Sequence, residues 1–360
     1  MLVALPFHRC SSLCRRALFV AQSFVGLVLG SVVLAQDAAS VVGAVSYPVG
    51  QNRMITVGVP LLRPAIAAGV VEAADAEGLT VVDGEGVRKS LAGLLAEGSS
   101  YFLEVVGHST GAASEWIGHR LEVDEQGSRS NQTGKIYLAD SSFNTLARNT
   151  LSQLSGHRVV VRPHWTLATV FGTGSTANLN SSNSPADADQ VYFSTANGLS
   201  VFYFRKGTTP QWRSLSGGAG NQDGAIIPPG VGVFFKRQGT SAVFTITGEV
   251  RATRFIRSPA SSGQLLVSGF PVAASPADLR LVNGLTAATS PAAADQLLRW
   301  NGSSFESFFL QSGSSPVWRK ESLESIDFTS SKLLDAASAV LLRLRAGPTS
   351  TLAQAVPFSL

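Results

Sequence analysis

Residues 179–213 read LNSSNSPADADQVYFSTANGLSVFYFRKGTTPQWR, and residues 285–319 read LTAATSPAAADQLLRWNGSSFESFFLQSGSSPVWR. The two segments align without a gap at an offset of 106, and twelve of the 35 positions are identical. The identities include the pairs Asp189/Asp295, Gln190/Gln296, Phe202/Phe308, Gly207/Gly313, Trp212/Trp318 and Arg213/Arg319. So long a period means two copies of one small domain, because short-repeat solenoids recur every ~20–50 residues.

Each copy opens in the same way. Gln190–Phe193 and Leu199–Arg205 flank Asn197-Gly198, which supplies the positive φ angles of a type I′ hairpin turn. In the second copy Leu297–Trp300 and Phe305–Leu310 flank Asn301-Gly302, a tip displaced by two residues. An even displacement keeps each side chain on its face. A closing strand follows at an offset of 107, where Ile226–Lys236, followed by Arg237, matches Leu333–Arg343. The second copy replaces Pro228-Pro229-Gly230 with Asp335-Ala336-Ala337, so strand content persists while turn chemistry drifts. Val243–Thr253 alternates with a period of two, setting Phe244, Ile246, Val250 and Ala252 against Thr245, Thr247, Glu249 and Arg251.

Working outward, the 360-residue chain is 44% hydrophobic and only 14% charged, and 35 glycines and 16 prolines punctuate short apolar runs. This suits many strands joined by turns. The fold class expected is mainly β: a small N-terminal β-rich unit over 36–150, then two homologous β-sandwich- or barrel-like modules over 151–257 and 258–360. Within the first unit, Met54–Val59 reads as a strand and Leu91–Leu95 as part of a short helix. Tyr101–Gly107 and Trp116–Val123 read as a hairpin, and Ser128–Gly134 as a loop. Val57-Gly58-Val59-Pro60 echoes Val267-Ser268-Gly269-Phe270-Pro271, which raises a third, degenerate relative of the module start.

Residues 1–35 have the form of a signal peptide. Arg9, Arg15 and Arg16 form the basic region, Ala17–Leu34 the apolar run, and Val33-Leu34-Ala35 the small-residue cleavage site. Cleavage would remove Cys10 and Cys14, leaving a mature chain without cysteine and so without disulfides or Cys-based chemistry. It would also reduce the net charge from +4 to +1, with 25 basic against 24 acidic residues. The pI near 9.3 is therefore no argument for nucleic acid. Residues 36–150 carry 8 basic and 13 acidic side chains and residues 151–360 carry 17 and 11, an asymmetry that supports a boundary near 150.

This layout resembles an uncharacterised family of exported bacterial proteins. The resemblance rests on Tyr101–Gly107 with Gly111, and on the "D-Q-V…F-Y-F…W-R…I-I-P-P-G-V-G-V-F-F-K-R" pattern from Asp189 to Arg237. The module is also similar to repeats of bacterial cell-surface proteins in which P-G-x-G precedes a last aromatic strand. The resemblance implies export and a β-rich fold; it brings no assigned activity.

No Gly-x-Ser-x-Gly elbow or Ser/His/Asp spacing stands out for His108, His119, His157 or His164, so no catalytic residue is assigned. His157 and His164 flank a strand and are expected at the surface or at loop edges. Asp187 and Asp189 share a face if extended, which makes them weak candidates for calcium or for an acid/base pair. Their alternative role is capping a turn. The Trp-Arg pair has two readings. Trp212 with Arg213 could offer a platform and a fork to an acidic sugar. Alternatively, Trp212 and Trp318 pack between sheets while Arg213 pairs with Asp189 and Arg319 with Asp295. Arg205, Lys206, Arg213 and Arg237 belong to a basic concentration in the first module whose partner outside the cytoplasm would be an anionic polysaccharide or an envelope component.

The sequence thus points to an exported, non-catalytic surface, envelope or matrix protein in the periplasm, at the cell surface or outside the cell. It would use no cofactor, bind no nucleic acid and keep no membrane span after cleavage. The alternative is a polysaccharide-binding protein that uses Trp212, Arg213, Arg205, Lys206 and Arg237. A hydrolase comes last.

Overall fold

The computed structural model describes residues 41–360 apart from positions 89, 132, 145, 146, 196, 197, 219, 258–262, 347–350, 359 and 360. The segment expected to direct export and both cysteines lie outside the described residues.

The described residues begin with β1 (Val42–Val49) and β2 (Met54–Val57), and neither belongs to the unit that follows. That unit contains β3 (Ala67–Ala74), β4 (Gly78–Val82), β5 (Tyr101–His108), β6 (Arg120–Val123), α1 (Glu125–Ser130), β7 (Lys135–Tyr137) and β8 (His157–Pro163). Its antiparallel sheet has the order β6-β5-β8-β3-β4-β7. A bridge between Val123 and Leu138 joins the two edge strands, so the sheet curls back on itself. Strand alternation divides the residues cleanly. Tyr101, Leu103, Val105, Leu121, Val123, Val159 and Val161 fill the interior. Phe102, Glu104, Arg120, Glu122 and Arg162, their neighbours in sequence, take the other face. The hairpin expected from Tyr101 to Val123 forms as β5 and β6. Leu91–Leu95 makes only a turn, closed by Leu94 N–H and Leu95 N–H donating to Leu91 O. Ser128–Gly134, expected as a loop, starts inside α1 because Asp124 caps that helix and accepts from Gly127 N–H.

After β8 the chain returns to the strands it left. It forms β9 (Trp165–Thr166), α2 (Leu167–Phe171), β10 (Gln190–Thr195), β11 (Gly198–Arg205), β12 (Gln211–Ser214), β13 (Ile226–Ile227), β14 (Val233–Lys236) and β15 (Ala242–Glu249). The five-stranded sheet has the order β12-β11-β10-β14-β2, and β1 pairs with β15 as a ribbon that covers it. Val45, Tyr47, Val49, Phe244 and Ile246 of the ribbon close over Val191, Phe204, Trp212, Val233 and Phe235 of the sheet. The two layers make a small β-sandwich. β10 and β11 pair through Thr195 and Gly198, so the hairpin tip is 196–197, which lies outside the described residues. The alternation read along 243–253 holds through Glu249, where β15 ends. Beyond it the phase reverses: Arg251 is buried and Ala252 exposed.

The second module repeats this plan with β16 (Phe255–Arg257), β17 (Gln264–Leu266), β18 (Gln296–Trp300), β19 (Phe305–Gln311), β20 (Val317–Lys320), β21 (Leu323–Asp327), β22 (Val340–Arg343) and β23 (Leu352–Gln354). Its sheet order is β17-β22-β18-β19-β20-β21, and β16 pairs with β23. In sheet and ribbon this is the first module with an added edge strand, β21, while the β9–β13 pair is reduced to a single bridge between Ala274 and Leu334. Val57 faces Val233 as Leu266 faces Val340. The echo at Val57–Pro60 is therefore no third module; it is the opening strand of the first.

The module limits expected at 150 and 257 are corrected accordingly. β8 lies in the sheet of the N-terminal unit, and β1 and β2 lie in the first module. The N-terminal unit is thus an insertion between β2 and β9. β16, expected to end the first module, opens the second.

The two modules meet through equivalent edges. Gly58 N–H donates to Ala337 O at 2.9 Å, and Val267 N–H donates to Gly230 O at 3.2 Å. Gly58 corresponds to Val267, and Gly230 to Ala337, so the two bonds are one contact made twice about a local two-fold axis. The glycines permit this approach. A Cβ on Gly58 would lie 2.5 Å from Val267 Cγ1, and one on Gly232 would lie 2.3 Å from Ala339 Cβ.

Candidate functional site

The residues singled out from sequence are mostly spent on the scaffold. Trp212 and Trp318 are both fully buried. Trp212 Nε1–H donates to Gly172 O at 2.9 Å and Trp318 Nε1–H to Leu281 O at 2.7 Å. Neither presents a ring face to a sugar, so the packing reading of the tryptophans holds.

The arginine half of that reading is corrected. Alternation along β12 and β20 turns Arg213 and Arg319 away from the core that holds the tryptophans and aspartates. Arg213 faces the Gln211 carboxamide, and Arg319 Nε–H donates to Gln311 Oε1 at 3.1 Å. Asp189 pairs instead with Arg237, both side chains being buried. Arg237 also donates to Thr240 O and Asn178 O at 2.7 and 2.8 Å, which leaves it closed to a ligand.

Asp187 and Asp189 do not form a shared site. A 3-10 turn over Pro185–Asp187 replaces the extended chain, leaving Asp187 exposed and Asp189 buried. Asp189 accepts from the backbone N–H groups of Asn180 at 2.8 Å and Gln238 at 2.7 Å. Among the described residues no group of three or more His, Cys, Asp or Glu is placed to hold a metal ion. Arg205, the last residue of β11, and Lys206, which follows it, are exposed, and their matches are Gln311 and Ser312.

His157 and His164 are buried, contrary to the surface expectation. His157 Nε2 lies 2.7 Å from Ser114 Oγ and its Nδ1 lies 3.1 Å from Leu154 O. The carbonyl fixes the proton on Nδ1, so Nε2 accepts from the serine hydroxyl. That hydroxyl oxygen also caps a turn by accepting from Trp116 N–H at 3.2 Å. His164 Nε2 lies 2.7 Å from Glu122 Oε2. Burial, then the positive charge of Arg254, lowers the pKa of the half-buried His119.

The most unusual chemistry lies where the insertion meets both modules, and no single stretch of sequence contains it. Three guanidinium carbons surround the Phe255 ring: Arg120 at 4.6 Å, Arg251 at 4.8 Å and Arg257 at 5.5 Å from its centroid. Glu104 pairs with Arg251, and Arg162 donates to Glu249 Oε2 at 2.5 Å. Arg120 donates to Pro229 O and Ile256 O, and Arg257 to Gly230 O and Val267 O. Burial lowers all three pKa values, Arg120 to about 10, Arg251 to about 9 and Arg257 to about 9. For Arg257 the neighbouring charge of Arg120 adds to the effect. All three remain cations at neutral pH. The sequence did carry one sign of this cluster. Glu104 stands inside the apolar run Tyr101–Val106, and a carboxylate there needs a buried cation from elsewhere in the fold.

No family model matches the chain, and no curated protein or solved structure matches it. What the fold defines is a tandem of β-sandwich modules, the first interrupted by a curled six-stranded domain. In the described residues no helix is long and apolar enough to cross a membrane.

Proposed function

We propose that the chain is an exported, non-catalytic protein of the bacterial surface, envelope or matrix, as its resemblance to the exported family implies. One observation carries this reading: the duplication preserves interior geometry more closely than exposed chemistry, the half-buried Arg213 and Arg319 being the outward pair that it keeps. Gln190 Nε2–H donates to Pro185 O at 2.7 Å, and Gln296 Nε2–H to Pro291 O at 3.0 Å. The buried Trp indoles and the backbone amides around Asp189 and Asp295 keep their hydrogen bonds in the same way, whereas Arg205-Lys206 becomes Gln311-Ser312. A repeated binding site would keep its exposed groups; a repeated scaffold keeps its core. The alternative, polysaccharide recognition by the first module, loses its tryptophan platform and the Arg237 cation and rests on Arg205 and Lys206 with the half-buried Arg213.

Cell fractionation with N-terminal sequencing tests the localisation, with a mature chain beginning at Gln36 in an exported fraction as the expected result. A glycan array with the same purified chain tests the role. Saturable, salt-sensitive binding lost in Arg205→Ser/Lys206→Ser would replace the structural reading with the carbohydrate one.

A further inference from the structure

Beside the arginine cluster lies a cavity of about 10 Å³, lined in part by Arg63, Phe102, Trp165, Arg251, Phe255 and Ser268. The centre of a water-sized sphere can move through that volume, so the cavity admits one water molecule or one monatomic ion. Its polar lining is one-sided. The nearby carbonyls are already engaged: Leu61 O accepts from Trp165 Nε1–H, Leu62 O from Glu249 N–H, Pro229 O from Arg120, and Gly230 O from Arg257. Ser268 Oγ accepts from Phe270 N–H and from Gln354 Nε2–H, both at 3.1 Å, which leaves its own proton to give. Arg251 Nε is buried with no acceptor among the described residues, as are Arg120 Nε and Arg257 Nη2 around the same phenyl ring.

A water in this cavity would have to share carbonyls that already accept one hydrogen bond each, and it would leave the buried guanidinium charge uncompensated. An anion only accepts. The surrounding charge favours it as well. Arg120, Arg162, Arg251 and Arg257 face Glu104, Glu122 and Glu249, an excess of one cation before Arg63 is counted. Buried cations without counterions are costly, and a bound anion removes that cost.

We propose that this cavity binds a chloride-sized halide, held by Arg251 and the Ser268 hydroxyl at the junction of the insertion and the two modules. The halide completes the charge balance of the junction and binds the folded chain alone, so it stabilises by mass action.

The test is thermal melting of the full mature chain, titrated with sodium chloride at constant ionic strength made up with sodium gluconate. A saturable rise of ~2 °C or more between ~1 and ~200 mM chloride is expected. Ser268→Ala, which keeps every charge, is expected to lose that chloride-specific rise, as is Arg251→Met if it folds. A crystal grown in bromide should show an anomalous peak in contact with Arg251 and Ser268. Coincident chloride and gluconate curves, an undiminished rise in Ser268→Ala, or a bromide crystal without the peak would each overturn the proposal.

Discussion

Asp189 and Arg237 form an ion pair wholly withdrawn from solvent, between the start of β10 and the end of β14. The counterpart Asp295 does without it, because Leu344 occupies the place of Arg237. What both copies keep is the backbone cradle. Asp295 accepts from Thr286 N–H and Arg345 N–H, both at 2.7 Å, as Asp189 does from Asn180 and Gln238.

The cradle makes the two halves of the pair unequal. Asp189→Ala orphans a buried guanidinium and should cost ~3–5 kcal/mol of unfolding free energy. Arg237→Leu copies the arrangement of the second module, where amides alone hold the carboxylate, and should cost less, ~1–3 kcal/mol. Urea denaturation of both variants measures the order. A reversed order would mean that the amides do not suffice.

Trp212 and Trp318 fill matching positions in the two cores, so each truncation should act on its own module. Trp212→Ala and Trp318→Ala should each cost ~3–5 kcal/mol. Calorimetry should register the loss in both, and glycan binding by any molecules still folded should be unchanged. Abolished binding in a variant of wild-type stability would return Trp212 to the surface.

Glu104 ties the insertion to the modules by meeting Arg251 from beyond the inserted segment. Glu104→Gln keeps the shape and removes the charge, and should cost ~3–5 kcal/mol because the facing arginines stay buried. Limited proteolysis should show its first new cleavages at the junctions near 62–66 and 163–165. Wild-type resistance there would mean that the insertion is held by its apolar contacts alone.

Glu306 gives the second module an acid-sensitive element. Lys320 Nζ lies 2.9 Å from its Oε1, and Arg299 Nε 2.7 Å from its Oε2. The hydrogen bond from Lys320, then that from Arg299, lowers its pKa. A carboxylate with a lowered folded pKa adds stability that is present above its unfolded pKa and is lost as pH falls through the folded one. Melting curves below the ordinary glutamate range, about pH 4, should therefore fall less steeply in Glu306→Gln than in the wild type. Parallel curves would remove this residue from the acid response.

Much of the architecture was legible because local patterns encode it. The matched segments marked two copies of one module, alternation marked β15 as far as Glu249, and the paired hairpins formed where the repeat placed them. Module limits were not legible, because β2 finds its partner β14 across the whole insertion. No local signal states that Val57 lies opposite Val233. The partner of Asp189 was misread for a related reason. Arg213 lies closer in the repeat, but strand parity turns it outward, and only the closing turn brings Arg237 to the carboxylate. The arginine junction draws on the insertion, the first module and the second at once, and Glu104 was its one visible trace.

The insertion also orders events in time. During synthesis β1 and β2 emerge first, yet neither can pair until β14 and β15 follow, after the whole inserted domain. Through that interval two strands with open edges must be kept from pairing with other chains. The second module has no such delay, since β16 to β23 are contiguous. The inserted domain, whose strands pair among themselves, is free to fold during the wait and to shorten the distance across which the first strands must find their partners. A chain released before residue 249 would therefore carry a finished barrel-like domain and an unfinished sandwich, and its hazard would be assembly with its neighbours.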